Sequence, residues 1–184
     1  MGHSSYSLAD VVGVVLAGGQ SCQMSGDDKG LKSLAGKPLI AHVIERLAPQ
    51  VGSLIINTKS DLTLYAAFGL PVIPDIHGEF AGPLAGILSA MRWAREHQPS
   101  ARWIATTACD TPFLPMNYVE TLHRTATPAR STFAGAMSMS GIHYKMGLWA
   151  VDLVDDLTES LARGEYQVQL WVDRHWHVKV LFPT

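Results

Sequence analysis

The run Asp10-Val-Val-Gly-Val-Val-Leu16 carries apolar or small residues at both odd and even positions from Val11 onward. A strand covered on one face alternates, so this one is expected to be covered on both faces, as inner strands of parallel sheets are. It stops at the pair Gly18-Gly19. Similar short runs follow at Leu54–Ile56, Pro71–Ile73, Trp103–Ala108 and His177–Phe182, and Thr132–Met139 with Tyr144–Ala150 reads as a strand pair turning near Gly141. Helical spacing fills the gaps. Pro38 stands at a first helical position ahead of Ile40, Val43, Ile44 and Leu47, and Gly82–His97 places Leu84, Ile87, Leu88 and Met91 on one stripe. Shorter helices are expected at Leu62–Phe68, Asn117–Arg124, Val151–Arg163 with Gly164 as its stop, and Tyr166–Val172. This alternation predicts an α/β fold of three layers, a mostly parallel sheet with helices on both faces. With 184 residues and no repeat or linker, a single domain over 1–184 is expected.

Composition removes several classes of function. Fourteen Lys and Arg against sixteen Asp and Glu give a net charge of −2, without the basic excess of a nucleic-acid binder. Two cysteines, Cys22 and Cys109, are too few for a disulfide framework or a four-cysteine metal site. The longest apolar run, Val11–Ala17, falls short of the ~20 residues that cross a membrane. The N-terminus Met1-Gly2-His3-Ser4-Ser5-Tyr6 has Tyr where a myristoylation signal wants Ser or Thr. A cytoplasmic protein is expected. The five tryptophans, Trp93, Trp103 and Trp149 among them, fall at core positions, which points to packing.

Three loops follow carboxyl ends of strands: Gly18–Gly30, Asn57–Asp61 and Cys109–Pro115. In an open parallel sheet that edge is where ligands bind. The first loop, Leu16-Ala-Gly-Gly-Gln-Ser-Cys-Gln-Met-Ser-Gly-Asp-Asp-Lys-Gly30, joins glycines to a lysine, so backbone N–H groups and an ammonium can meet phosphate oxygens. It contains no G-x-G-x-x-G, and Gly30 to Gly36-Lys37 has one residue too many and Pro38 in the Ser/Thr position of a Walker A loop. Plain structural readings stand beside the functional ones. Asp110 also suits a cap for the turn before Pro112, Asn57 and Pro74-Asp75 suit turns, and Cys109 suits a small core residue. His175 and His177 share a strand face but have no acid or cysteine near them in sequence to complete a metal site.

Read as one string, the glycine-rich loop resembles the nucleotidyltransferase pattern L-A-G-G-x-S-x-R-M-G-x-D-K, in the version of the molybdenum cofactor guanylyltransferases. Leu34-Ala-Gly-Lys-Pro-Leu-Ile40 is similar to that family's L-x-G-x-P-L-I, Asp75 with Gly82-Pro-Leu-Ala-Gly-Ile87 to its aspartate and G-P-L-A-G-I, and Cys109-Asp-Thr-Pro-Phe-Leu-Pro115 to its C-D-x-P-F-L-P. His143, the Gly147–Ala150 stretch and Leu161-Ala-Arg-Gly164 follow the family layout more loosely, so the likeness spans roughly 11–172.

The resemblance implies a Rossmann-like fold and transfer of GMP from GTP to molybdopterin, with an N-terminal half for nucleotide and a C-terminal half for the acceptor. It implies Lys29 as phosphate clamp, Asp110 as carboxylate for Mg²⁺, and nucleotide contacts from Leu16, Ala17, Gly18, Gly19, Asn57, Asp75 and Gly82, with Gly82 and Pro83 shaping a guanine pocket. Lys29 and Asp110 are the implied catalytic pair. An adaptor for molybdoenzyme assembly that meets maturation proteins is the alternative for a relative without catalysis. Two departures fall in the loop. Gln23 stands for the family's arginine and Ser25 for a glycine, and Lys32 or Lys37 are the nearby cations expected to help make up the lost charge. A neutral amide in place of guanidinium costs ~10- to 100-fold in transition-state stabilisation. After Gly164, where the family often carries arginines thought to hold the acceptor's phosphate, this chain has Glu165, Tyr166, Gln167 and Gln169.

Overall fold

A computed structural model of the chain describes residues 6–18, 23–24, 27–75 and 82–183, with backbone alone at 23, 24 and 27. Seven strands form its sheet: β1 (Val11–Leu16), β2 (Ser53–Asn57), β3 (Val72–Ile73), β4 (Trp103–Ala108), β5 (Phe133–Ser138), β6 (Gly141–Ala150) and β7 (His177–Leu181), in the spatial order β7-β5-β6-β4-β1-β2-β3. Only β6 runs antiparallel to its neighbours. The expected mostly parallel α/β sheet is therefore present. All six residues of β1 are buried, as apolar residues at both parities require of a central strand.

Helices cover both faces. Val11 and Val15 point to a cluster filled by Ile40, Val43 and Leu47 of α1 (Leu39–Leu47) and Val119, Leu122 and Ala126 of α3 (Tyr118–Ala126). Val12, Val14 and Leu16 face α2 (Gly82–His97), α4 (Val154–Ala162) and α5 (Val168–Asp173). The register aligns Leu16 with Asn57 on one side and with Ala108 on the other, so β1, β2 and β4 end at one edge and their loops leave together.

Several expectations change in detail. Pro38 is not the first helical residue: Lys37-Pro38 pairs with Ser33-Leu34 across a turn whose Ala35 and Gly36 both have positive φ, and Pro38, extended, caps α1 from outside. Leu62–Phe68 is a 3₁₀ helix, capped by the Asp61 carboxylate and closed by Gly69 in the left-handed region. It buries only Tyr65, too little apolar contact to enforce an α-helix. The segment Val151–Arg163 divides into a 3₁₀ turn, Val151–Leu153, and α4, and the helix expected at Tyr166 starts at Val168. Trp149 and Trp171 are core residues, but Trp176 is 82% exposed, outside the packing role expected for all five.

Candidate nucleotide site

The loop after β1 lies directly on the loop after β2. Ala17 N–H donates to the Asn57 carbonyl at 2.8 Å, and a Cβ added to Gly18 would stand 2.7 Å from the Lys59 backbone nitrogen. Only glycine permits that approach. Farther along, Ser60 Oγ donates to Asp28 Oδ1 at 3.1 Å, tying the residue before Lys29 to the same second loop. Gly30, buried, rests against the third loop: its Cβ would lie 3.2 Å from Cys109 Cβ. Lys29, within the turn Lys29–Leu31, thus precedes the glycine that packs on the Cys109 side chain, and Asp110 follows Cys109. The three loops form one edge, with Lys29 and Asp110 carried by adjoining segments.

The turn at Asp110 is closed by its neighbour. Thr111 Oγ1 donates to the Ala108 carbonyl at 2.9 Å, and Leu114 N–H donates to the Thr111 carbonyl. Arg46 and Gln50 of the α1 region hold the far side through the Leu114 and Pro115 carbonyls. Tyr118, buried, donates to the Thr106 carbonyl at 2.7 Å, and burial drives its phenol pKa upward, so it acts as a fixed donor. Asp110 is therefore not needed as the turn cap. Among the described residues no hydrogen bond or ion pair engages its carboxylate or the Lys29 ammonium. Next to Asp110 a cavity of about 510 Å³ opens between the Asp110–Pro115 loop and the stretch His143–Met146 of β6. The register of β6 against β5 shifts between His143 and Gly147 there.

A second cluster stands on the other side of β1. Asn57, 2% exposed, donates from Nδ2 to Asp75 Oδ1 at 2.9 Å and to the Ile73 carbonyl at 3.3 Å. Lys59 Nζ lies 3.6 Å from Asp75 Oδ2, with the Asp75 side chain 7% exposed. α2 packs onto this cluster through Gly86, whose Cβ would fall 3.0 Å from Asn57 Cγ and 3.1 Å from Leu16 Cδ2. Gly82 begins α2 at φ +57°, and its Cβ would meet the Tyr166 carbonyl at 3.7 Å, so the segment after Gly164 borders the same helix end.

The structure thus gathers Leu16, Ala17, Gly18, Asn57, Asp75, Lys29 and Asp110 along one sheet edge. Gly19 and Ser25 lie outside the described residues, as does the side chain of Gln23. Lys37 does not serve the loop, because its ammonium is 2.6 Å from Glu45 on an exposed surface. Glu165 is gripped by Arg163 at 3.2 Å and Arg174 at 2.8 Å, and the hydrogen bonds from Arg163 first, then Arg174, hold its carboxyl below the usual range. His175 and His177 do not form a pair: His175 meets Asp156 at 3.0 Å while His177 contacts the His175 carbonyl. Sequence reasoning missed Lys59, the packing of Gly86 on Asn57 and the Ser60–Asp28 tie. Lys59 lay inside a loop already marked for ligands, but nothing in the string links it to Asp75.

For a divalent metal the donor set fits Mg²⁺ better than a fully protein-ligated ion. Among the described residues no three His, Cys, Asp or Glu side chains converge, while Asp110 is unengaged at the edge beside Lys29's segment. Mg²⁺ commonly takes one or two carboxylates and fills its sphere with phosphate oxygens and water.

Comparison with known proteins sets this fold and edge among the nucleotidyltransferases. The family described as the MobA-like NTP transferase domain matches residues 13–178, and the chain belongs to it. A molybdenum cofactor guanylyltransferase from Bradyrhizobium sp. (strain ORS 278) is 42% identical over 182 residues, covering 98% of this chain and 86% of that relative. One from Brucella ovis is 39% identical over 178 residues, covering 95% and 79%. The crystal structure of molybdopterin-guanine dinucleotide biosynthesis protein A from Archaeoglobus fulgidus superposes with a TM-score of 0.70 at 21% identity, covering 94% of this chain and 83% of that one, a likeness of fold. Among the described residues no helix is long and apolar enough to cross a membrane.

Proposed function

We propose that this nucleotidyltransferase works in molybdenum cofactor biosynthesis in the cytoplasm, transferring GMP from GTP to molybdenum-bearing molybdopterin. A phosphate oxygen of the acceptor attacks the α-phosphorus, the bond to the bridging oxygen of the β-phosphate breaks, and pyrophosphate leaves. The observation that carries the reading is the seating of Gly30 on Cys109, which puts an unengaged ammonium and an unengaged carboxylate on adjoining loops at the strand edge. Lys29 neutralises triphosphate charge, and the backbone of Leu16–Gly18 with Asn57 and Asp75 holds ribose and base. The Tyr166 carbonyl lies near Gly82, and in this reading the C-terminal half, which includes that segment, receives the acceptor. Asp110 would hold Mg²⁺, which when bound offsets charge on the phosphate oxygens. The protein's share of catalysis is positioning and charge neutralisation of two anions.

Gln23 and Ser25 favour a second reading, a non-catalytic relative that binds nucleotide or molybdopterin for molybdoenzyme assembly. A turnover assay with GTP, Mg²⁺ and molybdenum-loaded molybdopterin separates the two. Dinucleotide and pyrophosphate formed in equal amounts support the enzyme. Binding of GTP without any turnover supports the adaptor.

A further inference from the structure

One charged side chain at this edge has no place in the reaction as assigned. Lys59 lies against Gly18, close enough that its backbone nitrogen leaves no room for a Cβ there. Its side chain is 28% exposed and its ammonium stands 3.6 Å from Asp75 Oδ2, a charge contact longer than a hydrogen bond. The other oxygen of Asp75 accepts from Asn57 at 2.9 Å, and Asn57 is boxed in by Gly86 of α2. A carboxylate acceptor and an ammonium donor are thus held side by side, next to the strand-end backbone that the proposed site assigns to ribose and base.

We propose that Lys59 reads position 6 of the purine, donating to guanine O6 while Asp75 accepts from the neighbouring N1–H. The inference rests on the nucleotide site proposed above and names the group that makes it select guanine. A carboxylate by itself selects poorly, since it accepts from an adenine or cytosine amino group as readily as from a guanine N–H. The ammonium breaks that tie. With ribose and phosphates fixed, the base edge keeps one orientation, so adenine turns its amino group towards the ammonium and its bare N1 towards the carboxylate. Both protein groups then lose partners in a poorly hydrated place, and sites built on hydrogen bonds discriminate most strongly when that happens.

Calorimetry on the full chain with Mg²⁺ and GTP, ITP or ATP tests this, using wild type, Lys59→Met and Lys59→Arg. ITP keeps O6 and N1–H. Lys59→Met should weaken GTP and ITP together by ~10- to 100-fold while ATP binds no more weakly than before, and Lys59→Arg should restore part of the preference. Equal weakening of GTP and ATP by Lys59→Met, or no weakening, overturns the proposal while leaving the guanylyltransferase reading intact. A wild type with no preference for GTP over ATP overturns both. A measurement free of mutation stands behind these. On the wild-type chain, 2-aminopurine riboside triphosphate, which lacks O6 and N1–H, should bind no better than ATP, and binding equal to GTP refutes a role for Lys59 at O6.

Discussion

Gly86→Ala sets helix propensity against packing, and the structure decides the sign. In the middle of an exposed helix this change is favourable by ~1 kcal/mol, because alanine loses less backbone freedom than glycine. Here the new Cβ would stand 3.0 Å from Asn57 Cγ and 3.1 Å from Leu16 Cδ2. Neither neighbour can yield freely: Asn57 is 2% exposed and tied to Asp75 and the Ile73 carbonyl, and Leu16 is 5% exposed in the core. Overpacking costs ~1–3 kcal/mol, and loss of the hydrogen bond to the Asp75 carboxylate adds ~1.5–3 kcal/mol. Against a gain of ~1 kcal/mol, the net is a destabilisation of ~1.5–5 kcal/mol. In a domain of this size each kcal/mol moves the melting midpoint by ~2–4 °C, so a fall of ~3–20 °C is expected by calorimetry. GTP affinity should fall with it, because Asn57 and Asp75 are displaced. Asn57→Ala removes the obstructing amide, so Gly86→Ala should cost much less in that background, a positive coupling in a double-mutant cycle. A rise in melting midpoint for Gly86→Ala alone would refute the packing argument.

Asp110→Asn keeps shape but removes charge, so Mg²⁺-dependent GTP binding should weaken in calorimetry while the melting midpoint shifts little; lost stability with an unchanged metal response would return Asp110 to the role of turn cap. Gln23→Arg with Ser25→Gly should raise turnover ~10-fold or more, and the gain should vanish in a Lys29→Ala background because both cations act on the same phosphates. Burial holds the imidazoles of His123 and His175 below their ordinary pKa, against the opposing pull of Asp10 and Asp156. Their contribution to stability is therefore complete above the unfolded value of ~6.5 and is lost as pH falls through the folded values, so melting midpoints should drop between pH 7 and 5, and a flat profile refutes this.

The fold was legible where one residue class carries one instruction. Val11–Leu16, apolar at both parities, could only be an inner strand, and Leu84, Ile87, Leu88 and Met91 fixed α2 at Gly82–His97, the span observed. Legibility failed where the deciding partner is distant in the chain. Pro38 carries the φ of a first helical residue, yet the turn at Ala35-Gly36 pairs it with Ser33 and leaves it outside the helix. Asn57, Asp75 and Gly86 each stood in a recognisable motif. That Gly86 is glycine because of Asn57 follows only from the way α2 crosses the end of β1 and β2. Lys59 is the extreme case, being one lysine among polar neighbours until β3 brings Asp75 beside it.

This division bears on how the departures at Gln23 and Ser25 should act. Contacts to base and ribose are the same before and during transfer, so they lower KM without raising kcat. Charge at the triphosphate grows in importance as the α-phosphorus is attacked and pyrophosphate departs, so its neutralisation enters kcat. At the proposed base end Asn57 is tied to Asp75 and packed against Gly86, with Lys59 beside Asp75, while at the proposed phosphate end Gln23 stands where the family carries an arginine. The proposed enzyme is then one that holds GTP well and turns it over slowly. Restoring the arginine and glycine should raise kcat at nearly constant KM, and Lys59→Met should raise KM for GTP with kcat little changed. If the two substitutions instead move the same constant, base and phosphate ends do not act separately, and the assignment of Lys59 to the base fails with them.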